Sequence, residues 1–144
     1  MLVLPSRLAS VAEVDGFVED LVADFGLNDD VRGNILISLT EAVTNGIRHG
    51  NGCDPDKYVR VDVWRRRASV RVRVTDEGPG FEPDAVPDPT CPSLREREGG
   101  RGVFLMRALA DEISFHESGR AVEMVYECQH VEEHVSVGRV VAQA

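Results

Sequence analysis

Glu41 and Asn45 stand one helical turn apart in the run Ser38-Leu39-Thr40-Glu41-Ala42-Val43-Thr44-Asn45. On a helix that interval places a carboxylate and an amide on one face. A carboxylate there can take a proton from a hydroxyl nucleophile or from water. An amide oxygen is a hard ligand suited to Mg²⁺. A second group is Asp76-Glu77-Gly78-Pro79-Gly80-Phe81. An Asp at a strand end can accept a hydrogen bond from an exocyclic amine such as that of adenine. Gly78 and Gly80 would let a flat ligand lie against bare backbone. A third group is Gly99-Gly100-Arg101-Gly102, which runs straight into Val103-Phe104-Leu105-Met106. The free N–H groups and dipole of a helix start suit phosphates. Each group alone is weak: a solvated helix face and ordinary turns explain them one at a time.

The elements that must position these groups follow from periodicity. Leu2 to Leu8 reads as a short edge strand, with Pro5 tolerated at an edge. Ser10 and Glu13 form a capping box for a first amphipathic helix that Gly26 closes. Asn28, Asp29 and Asp30 open a second helix that runs to about His49. Its apolar face holds Ile35, Leu36, Leu39, Ala42, Val43, Gly46 and Ile47, and Gly46 there implies close approach of another element. Ser38, Glu41, Asn45 and Arg48 form a polar stripe.

Tyr58 to Trp64 and Val70 to Val74 alternate as an antiparallel hairpin, with Arg65, Arg66 and Arg67 at its tip. Trp64 falls on its polar side, where a contact surface and partial burial at a sheet edge both account for it. The stretch from Gly80 to Gly99 carries Pro83, Pro87, Pro89 and Pro92 and reads as a long loop before the third helix. Asp111 to His116 and Ala121 to Cys128 read as a second hairpin across Glu117–Arg120. Val135 to Val141 forms an extra strand or part of a tail.

Composition narrows the classes. A chain of 144 residues with 42% hydrophobic and 28% charged residues is one domain with a sizeable core. The formal net charge of −9 argues against direct nucleic-acid binding, which needs a basic patch. No apolar run approaches the roughly 18 residues that a membrane helix requires. The segment Met1–Pro5 lacks the basic and apolar regions of a signal peptide, so a cytoplasmic location is expected. Cys53, Cys91 and Cys128 show no metal-ligand or disulfide spacing and are expected to be thiols. The 4 histidines fall in no HExxH-type pattern, and a structural metal is not expected.

Taken in order, ExxxN on a helix, DxGxG after a strand and GxG opening a helix resemble the GHKL ATPase superfamily. The chain is most similar to the bacterial anti-sigma factor serine/threonine kinases. Ser38 to Asn51 is similar to that family's N box, Asp76 to Phe81 to its first glycine box and Gly99 to Leu105 to its second. The resemblance implies a Bergerat ATP-binding fold: an α/β (α+β) two-layer sandwich whose mixed, mainly antiparallel sheet carries helices on one face. It places a histidine kinase-like ATPase domain at 1–128 and a tail or extra strand at 129–144. It makes Glu41 the general base and Asn45 the Mg²⁺ ligand. Asp76 would bind the adenine amine, with Gly78 and Gly80 lining the base. Gly100, Arg101, Gly102 and Val103 would hold phosphates, with Gly80–Gly99 as lid.

The implied activity is ATP-dependent phosphorylation of a serine or threonine on a STAS-type antagonist, together with sequestration of a sigma factor by a homodimer. The alternative is a partner-switching module that binds nucleotide without transferring phosphate. The chain departs from the family at the start of the last strand. The family's usual adenine-contacting Thr is replaced there by Ala121 or Val122. Val103 stands where Leu is commoner.

Overall fold

The computed structural model describes residues 1–80 and 100–128. Its elements are β1 (Leu2–Pro5), α1 (Glu13–Phe25), α2 (Asp29–Asn45), β2 (Tyr58–Arg66), β3 (Ser69–Thr75), α3 (Gly100–Leu109), β4 (Glu112–His116) and β5 (Ala121–Glu127). The strands form one 5-stranded sheet in the order β1-β2-β3-β5-β4. Every pairing between them is antiparallel. The expected lid at 81–99 and the expected tail or strand at 129–144 lie outside the described residues, as does Cys91.

Period-two alternation decides what the sheet covers. Val59 and Val61 of β2, Val70, Val72 and Val74 of β3, and Met124 and Tyr126 of β5 are buried in one cluster. Val14 and Val18 of α1 and Ile35, Leu39, Val43 and Ile47 of the second helical segment join the same cluster. The helices therefore lie on one face. Val103 and Met106 bring α3 into the same core.

The helix boundaries have local causes. Gly26 ends α1 in the left-handed region (φ 64°), its N–H reaching the Val22 carbonyl. Asn28 caps α2 by accepting from the Val31 N–H at 2.9 Å. Asp29 and Asp30 follow in the first turn, where the dipole favours anions. The expected capping box at Ser10 and Glu13 does not form. Leu8–Ala12 is a 3₁₀ turn with Ser10 buried inside it, and α1 begins at Glu13 without a side-chain cap. β1 correspondingly stops at Pro5 rather than Leu8, and Ser6 turns inward onto the Lys57 carbonyl.

The polar stripe on α2 also needs correction. Ser38 is fully buried, and its hydroxyl bonds the Tyr126 hydroxyl and the Asn34 carbonyl. It ties α2 to β5 one turn before Glu41. Burial pushes the Tyr126 phenol well above its ordinary range, so it stays a neutral hydrogen-bonding group.

The opposite face of the sheet is polar and interlocked. Trp64 of β2 pairs with Arg71 of β3 on one side, while the β1 pairing stops at Val61 on the other, so it is half-buried on a stretch of β2 that β1 leaves open. The Arg73 guanidinium stands 5.9 Å from its ring centroid. Glu123 on β5, 7% exposed, bonds Arg71 at 3.1 Å and Arg73 at 2.7 Å. Burial alone would raise its carboxyl pKa. The hydrogen bonds from Arg73 and Arg71, with the charges of Arg73 and His116, outweigh that and hold it below the ordinary glutamate value.

A folded-state pKa below the unfolded one gives stability that is present above the unfolded value and lost as pH falls through the folded one. Glu123→Gln should therefore cost about 1–2 kcal/mol at neutral pH. The difference from the parent should shrink as pH drops below about 4.3, the ordinary Glu value. Urea denaturation at stepped pH checks this; a gap that does not narrow in acid would refute it.

Candidate active site

The last turn of α2 and the π-turn beyond it set the carboxylate-amide pair. Thr40 and Thr44 back-bond the Leu36 and Thr40 carbonyls, which leaves Glu41 and Asn45 as the polar groups presented toward α3. A Cβ built on Gly102 would stand 2.9 Å from Asn45 Nδ2 and 3.0 Å from Glu41 Oε2. The first turn of α3 thus lies directly against both side chains, and a residue with a side chain at 102 would intrude between them. Gly100 and Arg101 occupy that same first turn. Val103 sends its side chain into the core, 5% exposed, so it can serve a ligand only through its backbone.

After Asn45 the chain widens into that π-turn, Gly46–Gly50, closed by the Asn51 N–H on the Gly46 carbonyl at 2.8 Å. This turn carries the chain from the carboxylate-amide pair to Asp76. Gly46 makes the close approach its position implied: a Cβ there would meet Val59 Cγ2 at 3.1 Å and Asp76 Cβ at 3.6 Å. At Gly50 a Cβ would overlap the Asp76 carboxylate, and at Gly78 it would overlap the Gly50 carbonyl oxygen. Gly80, at φ 84°, presses against the Ser118 carbonyl.

Asp76 is fixed at both ends. Its N–H donates to the Arg120 carbonyl at 3.0 Å, and its Oδ1 accepts from the Gly78 N–H at 2.8 Å. Burial pushes the Asp76 carboxyl above the ordinary aspartate value, against the Gly78 N–H and the charges of Arg120 and Lys57. A half-buried acceptor of this kind favours a ligand donor, since partnering removes part of the desolvation penalty.

The structure therefore gathers the predicted residues into two adjoining groups. Glu41, Asn45 and Gly102 form one. Asp76, Gly78 and Gly80 form the other, joined to the first through Gly46–Gly50. The residues that sequence reasoning missed are Gly50, which leaves room for the Asp76 carboxylate, and Arg120, which anchors the Asp76 backbone. Gly50 directly follows His49, where the second helix was expected to end; nothing local distinguished Arg120. Ala121 lies opposite Thr75, and Val122 packs in the core. Arg120, directly before Ala121, is the residue from this end of β5 that meets Asp76.

Because the Gly78–Gly50 approach is backbone against backbone, Gly78→Ala should destabilise the fold by about 1–3 kcal/mol. Chemical denaturation measures the loss, and parental stability would refute the approach.

A ligand with an amine-bearing ring at one end and anionic groups at the other matches this arrangement. Asn45 Oδ1, at the mouth of the helix start, is one hard oxygen donor. That fits a small divalent cation that keeps waters and phosphate oxygens as its other ligands. Among the described residues no group of 3 or more His, Cys, Asp or Glu forms an all-protein cage.

The histidine kinase-like ATPase domain family matches residues 4–126. The serine-protein kinase RsbW of Oceanobacillus iheyensis is 24% identical over 115 residues, covering 76% of this chain and 66% of that protein. The anti-sigma F factor of Bacillus cytotoxicus is 31% identical over 107 residues, covering 73% of this chain and 66% of its own. The chain thus spans about two thirds of the length of these relatives. The fold matches the histidine kinase domain of a blue-light activated histidine kinase from Erythrobacter litoralis EL346. That match has a TM-score of 0.55 at 18% identity, over 90% of this chain and 64% of that one.

Proposed function

This chain belongs to the histidine kinase-like ATPase domain family, and on that premise we propose that it is an ATP-dependent anti-sigma serine/threonine kinase. It phosphorylates a STAS-type antagonist and sequesters a sigma factor, acting in the cytoplasm as a homodimer. Residues 1–128 are the ATPase domain and 129–144 its C-terminal tail. The observation that carries the reading is the placement of Gly102, at the start of α3, against both Glu41 and Asn45. A phosphate chain at that helix start would lie beside a carboxylate base and an amide oxygen. The names of these two relatives, a serine-protein kinase and an anti-sigma factor, support the same reading.

In this reading Asp76 accepts the adenine amine, and Gly78 and Gly80 lie against the ring. Backbone N–H groups at Gly100, Arg101, Gly102 and Val103 receive the phosphates. Asn45 would hold Mg²⁺, which when bound would neutralise charge on the phosphates. Glu41 accepts the proton of the partner's hydroxyl as that oxygen attacks the γ-phosphorus and the bond to the β-phosphate oxygen breaks. The protein contributes positioning and charge stabilisation more than covalent chemistry.

The test is incubation with ATP, Mg²⁺ and purified STAS proteins of the same organism. Phosphate on a serine or threonine of one of them is the expected result. Nucleotide binding without transfer to any of them would leave a non-catalytic switching module instead.

A further inference from the structure

We propose that Asn51 is the positioning residue that sets Asp76 for the base, by clamping the Asp76–Gly78 turn to the edge of the sheet. The inference rests on the proposed nucleotide site and extends it to a residue outside the ligand's reach.

Asn51 is 3% exposed, and its carboxamide is used on both sides. Oδ1 accepts from the Glu77 N–H at 2.7 Å. Nδ2 donates to Ser6 Oγ at 2.8 Å and to the Tyr58 carbonyl at 3.0 Å. The amide orientation follows from its partners: the Glu77 N–H can only donate and the Tyr58 carbonyl can only accept. Ser6, itself fully buried, passes its own proton to the Lys57 carbonyl at 2.9 Å. The Tyr58 N–H returns to the Glu77 carboxylate. One side chain therefore joins the end of β1, the start of β2 and the turn after β3.

Few residue types can do this. An aspartate at 51 would lack donors for Ser6 and Tyr58. An alanine would leave the Glu77 N–H and Nδ2's acceptors without their partner. The consequence falls on Asp76, because the clamped amide is the next one along the chain. Gly78, two residues beyond Asp76, orients its Oδ1. The Asn51 backbone also closes the π-turn that begins just after Asn45. Loosening the clamp should therefore blur recognition of the base amine and leave Glu41, Asn45 and the phosphate end in place.

The experiment compares the parent with Asn51→Ala and the milder Ser6→Ala. Amide hydrogen exchange is read in the nucleotide-free protein, and affinities for ATP and for inosine triphosphate are read by calorimetry. Inosine triphosphate carries an oxo group where ATP carries the amine. In Asn51→Ala the Glu77 amide should exchange about tenfold faster, while amides of β2 and β3 keep their protection. ATP affinity should fall about tenfold with inosine triphosphate within about twofold, so the preference for ATP collapses. Ser6→Ala should shift both readouts the same way by about threefold.

Unchanged exchange at Glu77 overturns the clamp. Parallel loss of both nucleotides overturns the positioning role and leaves a merely structural one. A folded parent that binds neither nucleotide removes the nucleotide reading. The clamp then stands on faster Glu77 exchange and falls without it.

Discussion

Glu41→Gln should lower phosphoryl transfer to a STAS partner by about 10²–10⁴-fold, the range a positioned general base supplies. The substitution keeps the size and the hydrogen-bonding capacity of the side chain beside Gly102, which a Cβ at 102 would approach at 3.0 Å. What it removes is the ability to take the hydroxyl proton. ATP affinity should hold within about threefold, because the base turn around Asp76 and the phosphate-facing start of α3 are untouched. Single-turnover transfer with saturating ATP, alongside a binding titration, separates the two effects. Retained transfer would end the assignment of Glu41 as base.

Asp76→Asn should act in the opposite way, on binding first. A carboxylate accepting from the base amine is a charge-assisted bond worth about 1.5–3 kcal/mol, so affinity should drop roughly 10- to 100-fold. The pH dependence carries a matching sign. Burial raises the Asp76 pKa, and the ionised form is the better acceptor. ATP affinity of the parent should therefore weaken as pH falls through that raised value, and the Asn variant should lose this dependence.

The same shift bears on stability. A group whose pKa is raised on folding contributes stability below its unfolded value, and that contribution is lost as pH rises through the folded one. At neutral pH the ionised Asp76 is thus a burden, and the Asn variant should be no less stable than the parent. A binding loss that comes with unfolding would contradict this account.

Features that depend on local chemistry were readable in advance. Asn28 before Asp29 and Asp30 announced the start of α2, and Gly26 the end of α1, because caps and left-handed turns are set within a few residues. Alternation at Tyr58–Trp64 and Val70–Val74 placed β2 and β3 because one face of the sheet is buried and the other is not. The site motifs were readable for the same reason: ExxxN and the glycine pairs are local patterns.

Features that depend on partners distant in sequence stayed hidden. Ser38 looked like one more polar position beside Glu41, yet Tyr126, across the core on β5, takes it inward. Ser10 has the residue type of a cap, but the chain needed it buried in the 3₁₀ turn leading to α1. Asn51, two residues past the expected end of the second helix, showed no partner in the sequence. Its role emerges once β1, β2 and the Asp76 turn are brought side by side.

The most direct measurement is a calorimetric titration of the purified chain with ATP, with and without Mg²⁺. The account predicts about one ATP bound per chain, strengthened by Mg²⁺ through Asn45 and weakened by Asp76→Asn. No ATP binding by protein shown to be folded would contradict it, since neither the base turn nor the helix start would then hold a nucleotide.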